Sequence, residues 1–243
     1  MPPFLPTSRR AVEGRNTLTG RSGGESDSSS ARGEVVRIEL DRQRAAFARR
    51  MAESKATAPH FYLGVEVEMD QALEIAKESS ATVNDLVLRA TALALADVPE
   101  VNGAYRDGGI ELYSQINLGF AVATESSVLF PTLFDADLKP LADLASESRA
   151  LAGKARDGSL TAPEFTGSTF TVSNLGMHEI DSYTPILNPP QAATLGVASL
   201  DHDRDGNITL PLNLACDHRI LRGPEAARFL GRIRSHLEEP SSL

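Results

Sequence analysis

The chain has 243 residues, 41% of them hydrophobic and 23% charged, enough for one sizeable core in an ordinary globular protein. A net charge of −9 argues against a nucleic-acid surface, and no apolar run approaches the ~20 residues that span a bilayer, so neither nucleic acid nor membrane is expected as a partner. One cysteine, Cys216, cannot form an internal disulfide, which fits a reducing, cytoplasmic setting.

Residues 1–33 are crowded with Gly, Ser, Arg and Pro and carry no helical or strand period, so they read as a disordered tail. Glu13, Glu25 and the lack of an amphipathic apolar face argue against a transit peptide there. Residues 34–243 then read as one domain. In chain order the patterns predict helix over 41–57, strand over 61–69, helices over 70–79 and 83–97, and strands near 110–113, 116–124 and 128–134. A helix over 140–156 follows, with Leu141, Leu144, Ser148, Leu151 and Ala155 along one side, and then strands over 168–173 and 192–199. Strand 208–216 alternates Ile208, Leu210, Leu212 and Leu214 against Thr209, Pro211, Asn213 and Ala215. The last helix opens at Gly223-Pro224 and repeats Ala226, Leu230, Ile233 and Leu237 on one face. Strands and helices mix without strict alternation, which points to an α/β two-layer sandwich with a mixed sheet.

Chemistry-bearing residues concentrate in Asp217-His218-Arg219-Ile220-Leu221-Arg222-Gly223, a short loop between a strand and a helix. Such a loop is how a reactive side chain is usually presented, although a lone histidine also suits the capping of a strand end. Cys216, inside the apolar strand, reads as a small core residue. His202 stands among Asp201, Asp203 and Asp205, but Gly206 and Asn207 make that run a polar hairpin turn rather than a cation site. With no Cys/His cluster and no Gly-rich phosphate loop, no metal is expected.

Four further segments accompany the histidine loop: Phe170-Thr171-Val172-Ser173-Asn174-Leu175-Gly176-Met177, Asn188-Pro189-Pro190-Gln191-Ala192, and upstream Pro59-His60-Phe61 and Val83-Asn84-Asp85. In this order and spacing the chain, from about residue 35 to 240, resembles the catalytic domain of the dihydrolipoamide acyltransferases of 2-oxo acid dehydrogenase complexes. The resemblance implies a chloramphenicol acetyltransferase-like fold and a homotrimer or larger core with active sites between neighbouring subunits. It also implies that His218 of one subunit faces Ser173 of the next across a channel, with coenzyme A entering from one end and an acyl-dihydrolipoyl arm from the other.

In that reading His218 is the general base for the attacking thiol. Imidazole titrates near ~6.5 and a thiol near ~8.5, so a positioned neutral imidazole takes the proton as attack proceeds. Ser173 is the donor to the developing oxyanion, its alternative being a strand-end serine bonded to its own turn. Asp217 holds the loop. Arg42, Arg44, Arg49 and Arg50 on the first helix suit either a phosphate site for coenzyme A or an ordinary solvated face.

Family members carry a lipoyl domain and a small subunit-binding domain ahead of the catalytic one. The tail ahead of the domain leaves no room for either, so neither is expected; with Lys55 the first lysine, the lipoyl group would come from another chain alongside 2-oxo acid dehydrogenase components. One departure lies within the signature: Arg222 stands where the family's DHRxxDG has aspartate. Either an acidic residue pairs with Arg222 and preserves the loop, or the loop relaxes. The expected function is acyl transfer between a dihydrolipoyl thiol and coenzyme A. The alternatives are an impaired assembly or regulatory subunit, and a stand-alone coenzyme A-dependent acyltransferase with another acceptor.

Overall fold

The first helix, α1 (Arg42–Thr57), begins where the Asp41 carboxylate accepts the Arg44 N–H at 2.8 Å and so satisfies one of the free amides of the first turn. This computed structural model describes residues 37–124 and 127–243, and the expected tail over 1–33 lies outside them. Leu40–Leu243 forms one compact unit. After α1 come β1 (His60–Glu68), α2 (Asp70–Ser79) and α3 (Val83–Asp97), as the patterns predict. α3 is fixed at its start by a reciprocal cap, Thr82 Oγ1 accepting the Asp85 N–H at 3.2 Å and the Asp85 carboxylate accepting the Thr82 N–H at 2.9 Å.

A hairpin of β2 (Gly103–Arg106) and β3 (Gly109–Leu112) follows, and only its second strand was anticipated. Its turn is Asp107-Gly108, both residues at positive φ (49° and 82°), the twist that a two-residue hairpin needs. The two strands expected over 116–124 and 128–134 each divide, into β4 (Leu118–Phe120) and β5 (Val122–Ala123), then β6 (Val128–Leu129) and β7 (Thr132–Leu133). β4 pairs with β7 in the main sheet while β5 and β6 pair only with each other, and Pro131, which has no N–H to give, marks the break. α4 (Leu141–Asp157) ends on Gly158 at φ 70°, and a short α5 (Ala162–Thr166) follows. α5 was not anticipated, although Thr161 and Glu164 spell a capping box with Pro163 in the first turn. The chain closes with β8 (Phe170–Asn174), β9 (Ala193–Val197), β10 (Asp201–His202), β11 (Ile208–Asp217) and α6 (Gly223–Glu238).

The main sheet runs β1-β11-β9-β8-β4-β7, with β10 also beside β11. β11 is antiparallel to β1 and β9, β8 is parallel to β9 and β4, and β7 is antiparallel to β4, so the sheet is mixed, as expected. Helices cover one face: Leu212, Leu214 and Cys216 of β11 and Phe170 and Val172 of β8 share a core with Leu86 and Leu95 of α3 and Phe229 and Ile233 of α6. Phe170 and Phe229 meet edge to face at 5.4 Å.

The opposite face is covered by an extended strap, residues 180–190, and by α1. Leu187 packs with Ala58 and Ala215, while a Cβ on Gly196 would lie 3.0 Å from Pro185 and 3.2 Å from Tyr183. Asn188 Nδ2 donates to Thr171 Oγ1 at 3.0 Å, fastening the strap to β8. On this second face of β11, Thr209 (3% exposed) and Ala215 (0%) are buried while Pro211 and Asn213 are partly exposed. No helix among the described residues is long and apolar enough to cross a membrane.

Phe229→Ala should lower the unfolding free energy by about 3–5 kcal/mol in denaturant titrations, since it removes a fully buried ring at the helix–sheet contact. A loss under about 1 kcal/mol would contradict this core.

Candidate active site

β11 ends at Asp217, opposite His60 at the start of β1. The Asp217 N–H donates to the Ala192 carbonyl at 2.9 Å, and its own carbonyl accepts the Ile220 and Leu221 N–H groups at 3.0 Å each, so the chain turns back at once. The Asp217 carboxylate, only 3% exposed, accepts the Arg219 backbone N–H at 2.9 Å and its side-chain Nε at 3.0 Å and Nη2 at 2.6 Å. These bonds raise the pKa of the Arg219 guanidinium, which also lies 4.2 Å over the Tyr105 ring. Asp217 thus braces the loop, in partnership with Arg219.

His218 points outward from this brace. Its backbone N–H donates to the Pro59 carbonyl at 3.0 Å, its ring lies 4.6 Å from that of Phe61, and its side chain is exposed. Leu221, 1% exposed, anchors the far side of the loop. Arg222 occupies the N-cap position of α6 without capping it and pairs with Glu225 in the first helical turn, the pair holding the Glu225 carboxyl below its ordinary pKa. A cation at a helix N-terminus opposes the macrodipole, and Glu225 supplies the compensating negative charge. The acidic partner of Arg222 thus belongs to the first turn of α6.

Ser173 sits elsewhere on the sheet, on β8 opposite Gly196 of β9. β4 stops at Phe120, opposite Val172, so beyond that point β8 has an open flank. The Tyr183 phenol donates to the Ser173 carbonyl, and burial raises the Tyr183 pKa. The Ser173 side chain is half-buried and lies beside the Tyr183 phenol.

Register shows how far apart these residues are. Ser173 is in line with Gly196 and, one strand further, Asn213 of β11. His218 lies five residues beyond Asn213 and two strands away from Ser173, roughly 19 Å at ~3.3 Å per residue and ~4.8 Å per strand. One chain does not bring them to a common atom.

The other candidates resolve as follows. Among the first-helix arginines, Arg50 donates to the Pro189 carbonyl at 2.6 Å and lines a cavity of about 550 Å³ with Arg106, Asn117, Ser168 and Gln191. Arg42 borders a smaller, more apolar cavity of about 310 Å³, and Arg44 and Arg49 are exposed. The Asp203 carboxylate accepts the Asp205 and Asn207 N–H groups at 2.8 and 2.9 Å, the bonds of a hairpin turn. Cys216 is buried, and burial pushes its thiol up to about 12. Among the described residues no group of three or more His, Cys, Asp and Glu side chains could hold a metal ion. Sequence reasoning did not single out Arg219, Tyr183 or His60. Arg219 lay inside the quoted signature, whereas Tyr183 carries no local signal.

Comparison with known proteins agrees with this architecture. The family model described as 2-oxoacid dehydrogenases acyltransferase (catalytic domain) matches residues 32–243. The chain belongs to this acyltransferase family. It is 37% identical over 213 residues to the dihydrolipoyllysine-residue acetyltransferase component of the pyruvate dehydrogenase complex of Rickettsia bellii, covering 81% of this chain and 51% of the relative. Component 3 of the Arabidopsis thaliana mitochondrial complex is 36% identical over 245 residues, 93% of this chain and 46% of that protein. The acyltransferase chain thus spans about half the length of the curated relatives it matches.

Among solved structures, the dihydrolipoamide acetyltransferase of Azotobacter vinelandii superposes with a TM-score of 0.82 at 28% identity, covering 90% of this chain and 98% of that one. The cubic core of a pyruvate dehydrogenase multienzyme complex gives 0.80 at 28% identity, with 99% and 98% covered. A chloramphenicol acetyltransferase, at 16% identity and TM-score 0.54 over 84% and 99% of the two chains, shares the fold.

Removing Arg219 would strand a buried carboxylate. Arg219→Ala should cost about 2–3 kcal/mol, at or below the range for a fully buried pair because the guanidinium is 31% exposed. Arg222→Ala, whose side chain is 79% exposed, should leave the unfolding midpoint unchanged. Equal effects of the two in chemical denaturation would refute the assignment of Arg219 as the brace.

Proposed function

We propose that this chain transfers an acyl group between a dihydrolipoyl thiol carried by another chain and the thiol of coenzyme A, at a site shared by two subunits of a homotrimer or larger core. The observation that carries the reading is the register. His218 and Ser173 are both accessible and suitably supported, yet roughly 19 Å apart within one chain, a separation that suits two half-sites facing each other across an interface.

The chemistry follows from the groups available. The neutral His218 imidazole takes the proton of the coenzyme A thiol as its sulfur attacks the thioester carbonyl. The Ser173 hydroxyl of the neighbouring subunit donates to the oxyanion, an interaction worth about 2.7–4 kcal/mol at comparable sites. Collapse of the tetrahedral intermediate breaks the bond to the dihydrolipoyl sulfur, which recovers the proton from the imidazolium. Phe61 and the Pro59 carbonyl limit the freedom of His218, and the Asp217–Arg219 pair leaves no unpaired charge beside it. The relatives are named as components of pyruvate dehydrogenase complexes, which supports partnership with a 2-oxo acid dehydrogenase and a lipoyl domain supplied in trans.

A second reading, an assembly subunit without turnover, draws on Arg222. The mechanistic work named for the Azotobacter protein concerns a serine, a histidine and an asparagine four residues past that histidine, which is the spacing from His218 to Arg222. Transfer from acetyl-, succinyl- and isobutyryl-coenzyme A to dihydrolipoamide separates the readings. Turnover in the native chain that is abolished in His218→Ala and lowered about 10²–10³-fold in Ser173→Ala supports the enzyme. Silence that Arg222→Asp relieves supports the assembly subunit.

Co-expression of the His218→Ala and Ser173→Ala chains should restore up to about a quarter of native turnover, because random mixing in a ring of subunits leaves that share of interfaces with both intact groups. No recovery in mixed oligomers would refute the shared site.

A further inference from the structure

The strap over the open face of the sheet is held at Leu187 by two side chains that the proposed reaction does not use. Ser54 Oγ of α1 donates to the Leu187 carbonyl at 2.8 Å, and the Leu187 N–H donates to His60 Nε2 at 3.1 Å. The second ring nitrogen of His60 lies 2.8 Å from the Ala58 carbonyl. These partners fix the tautomer. A backbone N–H can only donate and a carbonyl can only accept, so Nε2 carries the lone pair and Nδ1 the proton. A second proton, on Nε2, would set donor against donor and break the bond to the strap.

The clamp lies between the two half-sites that one chain contributes to neighbouring interfaces. At one end of the strap Tyr183 donates to the Ser173 carbonyl. At the other, His60 is flanked by Pro59, whose carbonyl holds the His218 N–H, and by Phe61, whose ring packs on that of His218. We propose that neutral His60 is a positioning residue for acyl transfer, locking the strap to the base of the His218 loop, and that its protonation releases the strap. This inference rests on the reading of His218 and Ser173 given above.

The charged and titratable neighbours are Lys55 from α1, which donates to Tyr62 on the same strand as His60, and Asp217 from β11 with its partner Arg219. Arg50 of α1 also reaches the strap, at the Pro189 carbonyl. Burial chiefly lowers the His60 pKa, assisted by Lys55 and opposed by the Ala58 contact and Asp217. The folded state thus keeps His60 neutral. Its stabilising contribution is complete above the unfolded imidazole value of ~6.5 and is lost as pH falls through the lower folded value.

The test uses the assembled protein. His60→Gln retains an N–H and a carbonyl for the two bonds but cannot titrate, whereas His60→Ala keeps neither. At pH 8, His60→Ala should lower kcat about tenfold to a hundredfold, and His60→Gln should recover most of that loss. On the acid side, log kcat of the native protein should fall more steeply than that of His60→Gln, because the loss that follows protonation of His60 is missing from the variant. Deuterium exchange of residues 184–188, corrected for its intrinsic pH dependence, should accelerate at least about tenfold in the native protein between pH 8 and 5 but not in His60→Gln. An unchanged slope in His60→Gln, or strap exchange indifferent to His60, would overturn the clamp. Full activity of His218→Ala with strap exchange still following His60 would overturn the base assignment and leave the clamp standing.

Discussion

β11 has a neighbour on each edge and a buried helix-side face. β1 lies along one edge, β9 and β10 share the other, and Leu210, Leu212, Leu214 and Cys216 on the helix side are all buried. Because side chains alternate with a period of two, a slip of one residue would turn Leu212, Leu214 and Cys216 out of the helix-side core and drive Asp217 into it. The register is therefore fixed by hydrophobic burial. With it are fixed the pairing of Asp217 with His60 and the row that joins Ser173 to Gly196 and Asn213. Even Pro211 obeys this constraint. Its carbonyl accepts from Ala198 on the β9 side, so its missing N–H falls in the gap between the residues paired to β10 and those paired to β9.

The loop after β11 inherits that rigidity. A buried carboxylate must be paired, and Arg219, two residues on, satisfies Asp217 with a guanidinium already stacked on Tyr105. His218 lies between the members of this pair and is forced outward, while α6 begins within a few residues. Arg222, at the helix entrance, is a surface feature: its partner Glu225 belongs to the same turn, and neither contributes to the brace. His218 thus owes its position to a charge pair that local sequence supplies and to a strand that the whole fold supplies.

What was legible in the sequence was whatever repeats along the chain. Leu141, Leu144, Ser148, Leu151 and Ala155 are all buried on α4, Ser148 because its hydroxyl donates to the buried Asp85 at 2.6 Å. The strand–loop–helix setting of His218 and the β8 position of Ser173 were likewise readable. β2 and α5 carried signals, a two-residue Asp-Gly turn and a capping box, within segments too short to show a period. The breaks at β5 and β6 and the role of His60 were hidden for another reason. His60 meets Leu187 across 127 positions of sequence, and a tertiary bond of that kind leaves no periodic trace.

Cys216 takes on a particular meaning under the proposed transfer between thioesters. It stands two residues before His218, close enough in sequence that an accessible thiol there would compete for the acyl group or exchange with a dihydrolipoyl arm. Its side chain instead faces the helices, beside Leu212 and Leu214 in the core, with a pKa pushed up to about 12. Such a thiol stays protonated and out of reach, which under the proposed reaction keeps it from taking the acyl group. The same burial leaves the surface of the described residues free of native thiols, and a cysteine placed on it would be the sole reactive handle there for a label.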